Sequence, residues 1–295
     1  MKLKKIAVML LIPLLLLCGC SVNSAESRGQ SPDSMRGSDY SAGEGELEEL
    51  VIYSFKAGKA DAHLIYNSSM AVLIDCGEKG FGKEIVAYLQ EHNIKALDML
   101  IVSHFDKDHV GGAARVIKDI DVKRVFQTNY IKDNKEYTNY VEALAEKQIT
   151  PETPQNRKSI AIGGAEISIC PPLKDFYQDS PSNNASLAAV IRYGSCSLMF
   201  TGDAEEARLG ELINTEGQHY DYLKVPYHGH FQQKLAPFLQ LCSPNVAVIT
   251  CSDQEPEDQQ VMKLLSEDGA AAYLTRRAPV IARCDGKAVT ASYDE

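Results

Sequence analysis

The apolar positions of this chain form two kinds of pattern, and both begin near residue 50. Short apolar runs are typical of buried strands, whereas apolar residues spaced three or four positions apart are typical of helices. The first kind predicts strands over residues 50–55, 62–66, 70–74, 99–102 and 122–127. The second kind predicts helices over residues 82–92, 113–117 and 135–148, the last with Val141, Leu144 and Ala145 facing inward.

The second half of the chain repeats this succession of strands and helices. Gly163-Gly164 separates two apolar runs and predicts a hairpin. Strands are predicted over residues 160–162, 165–170, 187–193, 197–200, 222–225, 245–250, 271–274, 280–284 and 288–292. Helices are predicted over residues 204–213 and 258–265. Two such halves favour an α/β fold in which two sheets lie face to face with helices outside.

The first 49 residues differ in composition from the rest. Residues 1–5 are positively charged and residues 6–17 are apolar apart from Pro13, a run too short for a comfortable membrane span. The following Leu17-Cys18-Gly19-Cys20 resembles a bacterial lipobox, which implies cleavage before Cys20 and lipidation of its thiol. We therefore predict a lipoprotein signal peptide over residues 1–19, a flexible tether over 20–49 and a folded domain over 50–295. The domain would be extracytoplasmic and lipid-anchored to the cell membrane; an uncleaved anchor or a plain signal peptide would also place it outside the cytoplasm.

The overall composition is that of an ordinary globular protein. Of 295 residues, 44% are hydrophobic and 24% are charged, which suits one layered α/β domain. The net charge is −10, and removing the three lysines of residues 1–19 would take it to −13. That charge argues against a broad basic surface for nucleic acid but leaves room for a local basic groove. Without a C-x-x-C pair, buried free thiols are expected, with a disulfide as the alternative, among Cys76, Cys170, Cys196, Cys242, Cys251 and Cys284.

The densest chemical signal follows the predicted strand at residues 99–102. His104, Asp106, Asp108 and His109 lie within six residues, and Gly111-Gly112 comes just after them. The cluster therefore sits on a turn at the carboxyl end of a strand, where α/β proteins place ligands. Imidazole and carboxylate together suit zinc, manganese or iron, and one short turn can serve one or two ions. The alternative is a solvated charged turn that caps a helix.

Three more predicted strands end in residues with similar chemistry. Asp75 precedes a glycine turn, where it would either orient a ligand histidine or serve the turn alone. Asp203 follows the strand at 197–200 and would serve either as a metal ligand or as a helix cap. The strand at 222–225 runs into a loop that contains Tyr227, His228 and His230.

Taken together, these junctions resemble the metallo-β-lactamase-fold hydrolases, and the variant is similar to the hydrolase domain of ComEC-type DNA-uptake proteins. The resemblance covers about residues 50–292 and rests on six stretches: GKADA at 58–62, VLIDCG at 72–77, HFDKDH at 104–109, NNASL at 183–187, FTGD at 200–203 and LKVPYHGH at 223–230. Asp106 stands in place of the second histidine of the family's leading motif, and Tyr227 in place of a later one. The family's late histidine is absent near residues 254–256.

The resemblance implies a four-layer αββα sandwich with one or two divalent ions, zinc or manganese, at one edge. It implies that His104, Asp106 and Asn184 surround one ion. It implies that Asp108, His109 and His228 surround the other, with Asp203 bridging. His230 is an alternative ligand because Tyr227 replaces a histidine. Asp108 and His109 would also be catalytic.

The resemblance further implies hydrolysis through a metal-bound hydroxide, with a phosphodiester as substrate and DNA as the named candidate. A chain with negative net charge repels a polyanion, so a cell-surface phosphoester such as a phosphocholine or teichoic-acid unit is the first alternative. A catalytically weak, ligand-binding lipoprotein is the second alternative. A β-lactam substrate is disfavoured because the motif is of another subtype. The protein is expected to be a monomer.

Overall fold

The computed structural model describes residues 47–295, and within them two seven-stranded sheets lie face to face. The predicted signal peptide, Cys20 and the tether up to residue 46 lie outside the described residues. Among residues 47–295, every helix falls short of the length and apolar character required to cross a bilayer.

The first sheet has the strand order β16-β15-β1-β2-β3-β5-β7. Its strands in chain order are β1 (Leu50–Ser54), β2 (His63–Asn67), β3 (Met70–Ile74), β5 (Met99–Val102), β7 (Val125–Gln127), β15 (Val280–Cys284) and β16 (Val289–Tyr293). A separate two-stranded ladder joins β4 (Ala96–Leu97) and β6 (Asp121–Val122). The first and last strands of the described residues, β1 and β16, therefore belong to the same sheet.

The second sheet has the order β14-β13-β12-β11-β10-β9-β8. Its strands are β8 (Lys158–Ile162), β9 (Ala165–Cys170), β10 (Ala188–Tyr193), β11 (Cys196–Phe200), β12 (Tyr222–Lys224), β13 (Val246–Ile249) and β14 (Ala271–Leu274). Alternate residues of β10 enter different cores: Ala189 and Ile191 face the first sheet, and Ala188 and Val190 face the helices. This two-residue period is why the strand is buried on both faces.

The described residues contain eight α-helices, of which all but the one-turn helices α2 and α5 cover the outer faces of the sheets: α1 (Gly82–Glu91), α2 (Lys107–Val110), α3 (Ala113–Asp119), α4 (Lys135–Glu146), α5 (Pro181–Asn184), α6 (Glu206–Glu216), α7 (Leu235–Cys242) and α8 (Gln259–Glu267). One core fills the space between the sheets. A second joins α1, α3 and α4 to the first sheet, and a third joins α6, α7 and α8 to the second sheet. Three cores between four layers confirm the predicted αββα sandwich.

Parallel pairing decides where the functional side chains meet. β3, β5 and β7 are parallel to one another, as are β11, β12, β13 and β14. The carboxyl ends of parallel neighbours share one edge of a sheet, so the residues that follow them are brought together. The predicted strand ends at residues 75, 103, 203 and 225 all belong to these two sets.

Some sequence predictions were wrong in detail. Val141 and Ala145 were predicted to face inward, but both are exposed, Val141 at 41%. The buried face of α4 is instead formed by Tyr140, Ala143 and Leu144, because Tyr140 packs toward Phe105 with ring centroids 5.8 Å apart. The one-turn helices α2 and α5, and helix α7, were not predicted.

Candidate metal centre

The leading motif is held in place by a one-turn helix and two glycines. Asp106 is the extended residue before α2, and the amides of His109 and Val110 donate to its carbonyl at 3.0 Å. A Cβ at Gly112 would lie 2.2 Å from the carbonyl oxygen of Cys76, so only glycine fits there. The motif is therefore locked against the end of β3.

Three histidines and two aspartates converge below the surface. His228 Nε2 lies 2.9 Å and His109 Nε2 lies 3.2 Å from Asp203 Oδ2. Asp108 Oδ2 is 3.7 Å from His228 Nε2. Four overlapping triads within the described residues have the compactness of ion-binding groups, and two of them combine these five side chains: the first is His104, His109 and Asp203, and the second is Asp108, His109 and His228. All five side chains are buried.

The second triad is the ligand set that the resemblance implied for one ion. Asp203 belongs to the first triad and also approaches His228, so its carboxylate stands between the two groups. Asp106 is placed at the margin: its Oδ1 is 3.9 Å from His104 Nε2, and its oxygens already contact Ser182 and Lys132.

The donor atoms fit divalent cations. Nε2 of His104, His109 and His228 is buried in each case and has no hydrogen-bond partner within the described part of the chain. His109 and His228 approach Asp203, but those contacts lack hydrogen-bond angles. A buried polar atom without a partner costs free energy, and coordination of a cation removes that cost.

Each ring is held through its other nitrogen. His109 Nδ1 contacts Asp75 Oδ2 at 2.8 Å, and Asp75 also accepts from the amide of Ser103 at 2.7 Å and from its hydroxyl at 2.6 Å. His104 Nδ1 lies 3.0 Å from the same hydroxyl. A histidine held through Nδ1 presents Nε2 to a metal. The structure thus places Asp75 where it orients a ligand histidine, one of the two roles considered from the sequence.

His228 is oriented through a longer connection. Its Nδ1 lies 3.1 Å from the hydroxyl of Thr250, which donates to Asp61 Oδ1 at 2.5 Å. Because that hydroxyl gives its proton to Asp61, it accepts from Nδ1, which leaves Nε2 as the lone-pair donor of His228. The turn that contains Tyr227 and His228 has φ values of 46° and 53°, in the left-handed region. The backbone therefore accepts local strain to aim this ring.

A buried lysine neutralises part of the acidic cluster. Lys224 Nζ is 2.5 Å from Asp61 Oδ2, 3.4 Å from Asp203 Oδ1 and 3.0 Å from the carbonyl of Gly202. Burial opposes its charge, but Asp61 and Asp203 raise the pKa of Lys224 above its ordinary value. Burial likewise opposes ionisation of Asp203, yet His228, His109 and Lys224 hold its pKa well below the ordinary value. The carboxylate is therefore ionised and ready to bind a cation.

The histidines differ in proton affinity because their neighbours differ. Burial, reinforced by His109, lowers the pKa of His104 to about 4, so this ring is neutral near pH 7. Burial also opposes the charge of His109, but Asp203, Asp75 and Asp61 raise its pKa well above the ordinary value. A cation that binds His109 must therefore displace a proton.

Other predicted residues lie elsewhere. Asn184 was implied as a ligand, but its Nδ2 donates to the carbonyl of Asp179 at 2.8 Å and its Oδ1 accepts from the amide of Arg208 at 2.9 Å. Its Oδ1 thus fixes the start of α6 and its Nδ2 holds the loop before α5, so in this geometry both ends of the amide contact protein groups outside the cluster, and the role as a ligand stays a prediction. Tyr227 is half-buried beside His228, and His230 packs on Tyr227 with ring centroids 5.2 Å apart. His230 belongs to none of the compact groups of the described residues.

Several residues that contact the cluster were not predicted individually: Ser103, Lys224, Thr250, Ser182, Lys59 and Lys132. Asp61 lies in the GKADA stretch, for which the sequence predicts no site role. The position of Asp61 was nevertheless a signal for a site residue. It lies just before β2, which is antiparallel to β3, and so it lies at the same sheet edge as the leading motif.

A family model and two known proteins match the sequence of this chain. The family model described as "Metallo-beta-lactamase superfamily" matches residues 56–250. ComE operon protein 3 of Bacillus subtilis is 28% identical over 188 residues, covering 62% of this chain and 24% of that protein. Recombination protein 2 of Haemophilus influenzae is 27% identical over 207 residues, covering 68% of this chain and 24% of that protein. The chain thus spans about a quarter of the length of each, and the predicted resemblance to the ComEC-type subgroup is confirmed.

A solved structure shows the same fold. The metallo-beta-lactamase fold protein YhfI from Bacillus subtilis superposes with a TM-score of 0.55 at 12% identity, covering 77% of this chain and 96% of YhfI. The family model matches most of the chain, and the two sheets and the histidine–aspartate cluster are consistent with that match. The chain belongs to the metallo-beta-lactamase superfamily of metal-dependent hydrolases.

Proposed function

We propose that this chain hydrolyses phosphodiester bonds at the histidine–aspartate cluster, with nucleic acid as the first candidate substrate. The observation that carries the proposal is the convergence of three buried, unpartnered Nε2 atoms on Asp203 and Asp108. When bound, one or two divalent cations would supply Lewis acidity and lower the pKa of water. Zinc and manganese both fit this donor set, and Asp106 at its margin makes the set richer in oxygen, which favours manganese.

The residues of the chain have separate tasks in this proposal. His104, His109 and His228 bind through Nε2, and their Nδ1 contacts keep the rings from turning. Burial opposes ionisation of Asp108, but above all His109, and then His228, keep its pKa below the ordinary value. An ionised Asp108 accepts a hydrogen bond from the attacking water and aims its lone pair at phosphorus.

The identity of the phosphodiester is proposed from the ComEC-like motif set. The net charge of −10 opposes a long polyanion, so the reaction with DNA should depend on ionic strength, and a short phosphodiester should be less sensitive to salt. Assays of DNA, cyclic nucleotides and phosphocholine esters, each with manganese and with zinc, separate nucleic acid from a cell-surface phosphoester.

The decisive experiment measures hydrolysis of bis-p-nitrophenyl phosphate by the full chain with added manganese or zinc. The unmodified protein should turn over and bind metal, His109→Ala should abolish turnover while remaining folded, and His219→Ala should be unaffected. His219 is an exposed histidine that contacts the carbonyl of Ser243, away from the cluster. A protein that recruits no metal and leaves the ester intact would instead support the ligand-binding lipoprotein.

Anchoring to the membrane is a separate proposal that rests on the sequence of residues 1–20. Lipidation of Cys20 would hold the hydrolase at the outer face of the cell membrane. In bacteria that express the full chain, Cys20→Ser should move the protein from the membrane fraction to the soluble fraction. Unchanged membrane association of that variant would refute lipid anchoring at this thiol.

A further inference from the structure

Two lysines reach the cluster from solvent. Lys132 Nζ lies 2.6 Å from Asp106 Oδ2, and Lys59 Nζ lies 3.3 Å from Asp108 Oδ2. Their side chains are 41% and 27% exposed, so both have room to move. Lys59 is also 3.4 Å from the exposed Glu255.

The segments that carry these lysines are tied to the leading motif. In the turn of Lys59, the amide of Asp61 donates to the carbonyl of Asp108 at 3.1 Å. In the loop of Lys132, Asn134 Nδ2 donates to the carbonyl of Phe105 at 2.7 Å. Each lysine therefore has an anchored backbone within a few residues and a flexible side chain. The backbone thus stays fixed beside the cluster, while the ammonium group at the end of each side chain can move within its reach.

The aspartates that these lysines contact are themselves candidate metal ligands. Asp108 belongs to a compact group with His109 and His228, and Asp106 stands beside His104. A divalent cation and an ammonium group compete for the same carboxylate charge. When cations neutralise these carboxylates, the ammonium groups are free to pair with another anion at the mouth of the site.

Lys224 shows what a lysine with a structural task looks like in this protein. It is 1% exposed, and its Nζ is enclosed by Asp61, Asp203 and the carbonyl of Gly202. Lys59 and Lys132 have neither that burial nor that number of partners. The ammonium groups of Lys59 and Lys132 can therefore exchange one partner for another, whereas that of Lys224 is held in place.

We propose that Lys59 and Lys132 bind the non-bridging oxygens of the substrate phosphate. The inference rests on the proposed phosphodiesterase function and adds the groups that select the substrate: two ammonium ions beside the cluster favour an anionic phosphoester over a neutral ester. Both are positioning residues that hold the phosphate while the cluster performs hydrolysis. Their contribution belongs to substrate binding and not to metal binding.

The test uses Lys59→Gln, Lys132→Gln and the double variant, with Lys107→Gln as the matched control. Lys107 lies between Asp106 and Asp108 in sequence, but it is exposed and forms no ion pair with any residue from 47 to 295. Two readouts are taken on metal-loaded full-length protein: calorimetric affinity for inorganic phosphate, and KM and kcat for bis-p-nitrophenyl phosphate. Metal content is measured in parallel.

Each single variant should weaken phosphate binding and raise KM by about tenfold, which is the size expected for loss of one charge-assisted contact. The metal content and kcat should be unchanged, and Lys107→Gln should match the unmodified protein. Unaltered phosphate affinity in the double variant overturns the inference, and so does loss of metal. If the unmodified protein hydrolyses no phosphodiester, the proposed function fails, while the phosphate affinities still decide the role of the lysines.

Discussion

Asp75→Asn is the most informative single change, because it keeps the shape of the side chain and alters only the carboxylate oxygen that faces His109 and the hydroxyl of Ser103. Asp75 is 1% exposed and adopts φ 57°, a left-handed conformation that asparagine also tolerates. The amide oxygen of asparagine can still accept from the amide of Ser103. Its NH2 group, however, cannot accept from His109 Nδ1 at 2.8 Å or from the hydroxyl of Ser103 at 2.6 Å, both of which contact Asp75 Oδ2.

The size of the effect on metal affinity follows from the lost contact with His109, because that contact orients a candidate ligand. A hydrogen bond to a charged group contributes about 1.5–3 kcal/mol, and 1.4 kcal/mol is about tenfold in an equilibrium constant. We therefore expect metal affinity to fall about 10- to 100-fold, the range typical of residues that orient metal ligands. The ring of His109 would remain, but with its orientation and tautomer no longer fixed.

The measurement is competitive titration of zinc and manganese against a chelator, together with thermal unfolding of the metal-free protein. Asp221→Asn is a matched control, because Asp221 Oδ2 accepts from the amide of Ser197 at 2.8 Å and lies 3.5 Å from its hydroxyl, with no histidine of the cluster involved. Asp221→Asn should retain metal affinity. If Asp75→Asn also retains it within about threefold, the assignment of Asp75 to ring orientation is refuted.

Three further predictions concern other parts of the molecule. Thr250→Val should lower metal affinity about tenfold without changing the fold, because His228 loses its connection to Asp61; a chelator titration that matches the unmodified protein would contradict this. Unfolding by urea should become easier as the pH falls below about 4.5. Burial raises the pKa of Glu257, but the hydrogen bonds from Arg276 outweigh it and lower the pKa below the ordinary value of 4.5. The ion pair therefore stabilises the fold above the pKa of the unfolded state, and this stabilisation is lost as Glu257 becomes protonated. Glu257→Gln should weaken the dependence of the unfolding free energy on pH. If that free energy falls as steeply at low pH in the variant, the ion pair is not the cause. Iodoacetamide at pH 8 should label the native domain slowly and all thiols after unfolding, since burial raises the pKa of Cys170 and Cys242 to about 12 and that of Cys251 to about 11; missing labels after unfolding would reveal a disulfide.

Most strands and the leading motif could be predicted because their signals are local. The run at 99–102 and the glycines at 111–112 define a strand, a turn and a helix start without reference to the rest of the chain. Helix α4 shows the limit of such patterns: Val141 is apolar but exposed, because the tyrosines of the helix pack toward Phe105 and set the buried face. One-turn helices such as α2 are too short to show any period.

The supporting residues could not be predicted, because their roles exist only between distant segments. Thr250 and Asp61 are 189 positions apart, and only the meeting of the two sheet edges makes them neighbours. Lys224 reads as an ordinary polar position in a short strand until its burial among carboxylates is known. Asn184 illustrates the opposite case, since a motif match suggested a ligand where the local need is to fix a helix start.

The enclosed ammonium group of Lys224 has a consequence for how the protein matures. Repulsion within a cluster of carboxylates without any counter-charge would destabilise the fold. Such a domain would need its metal in order to fold. Here the chain carries its own permanent cation into the interior. We therefore expect the metal-free polypeptide to fold, and metal to bind to the folded domain afterwards.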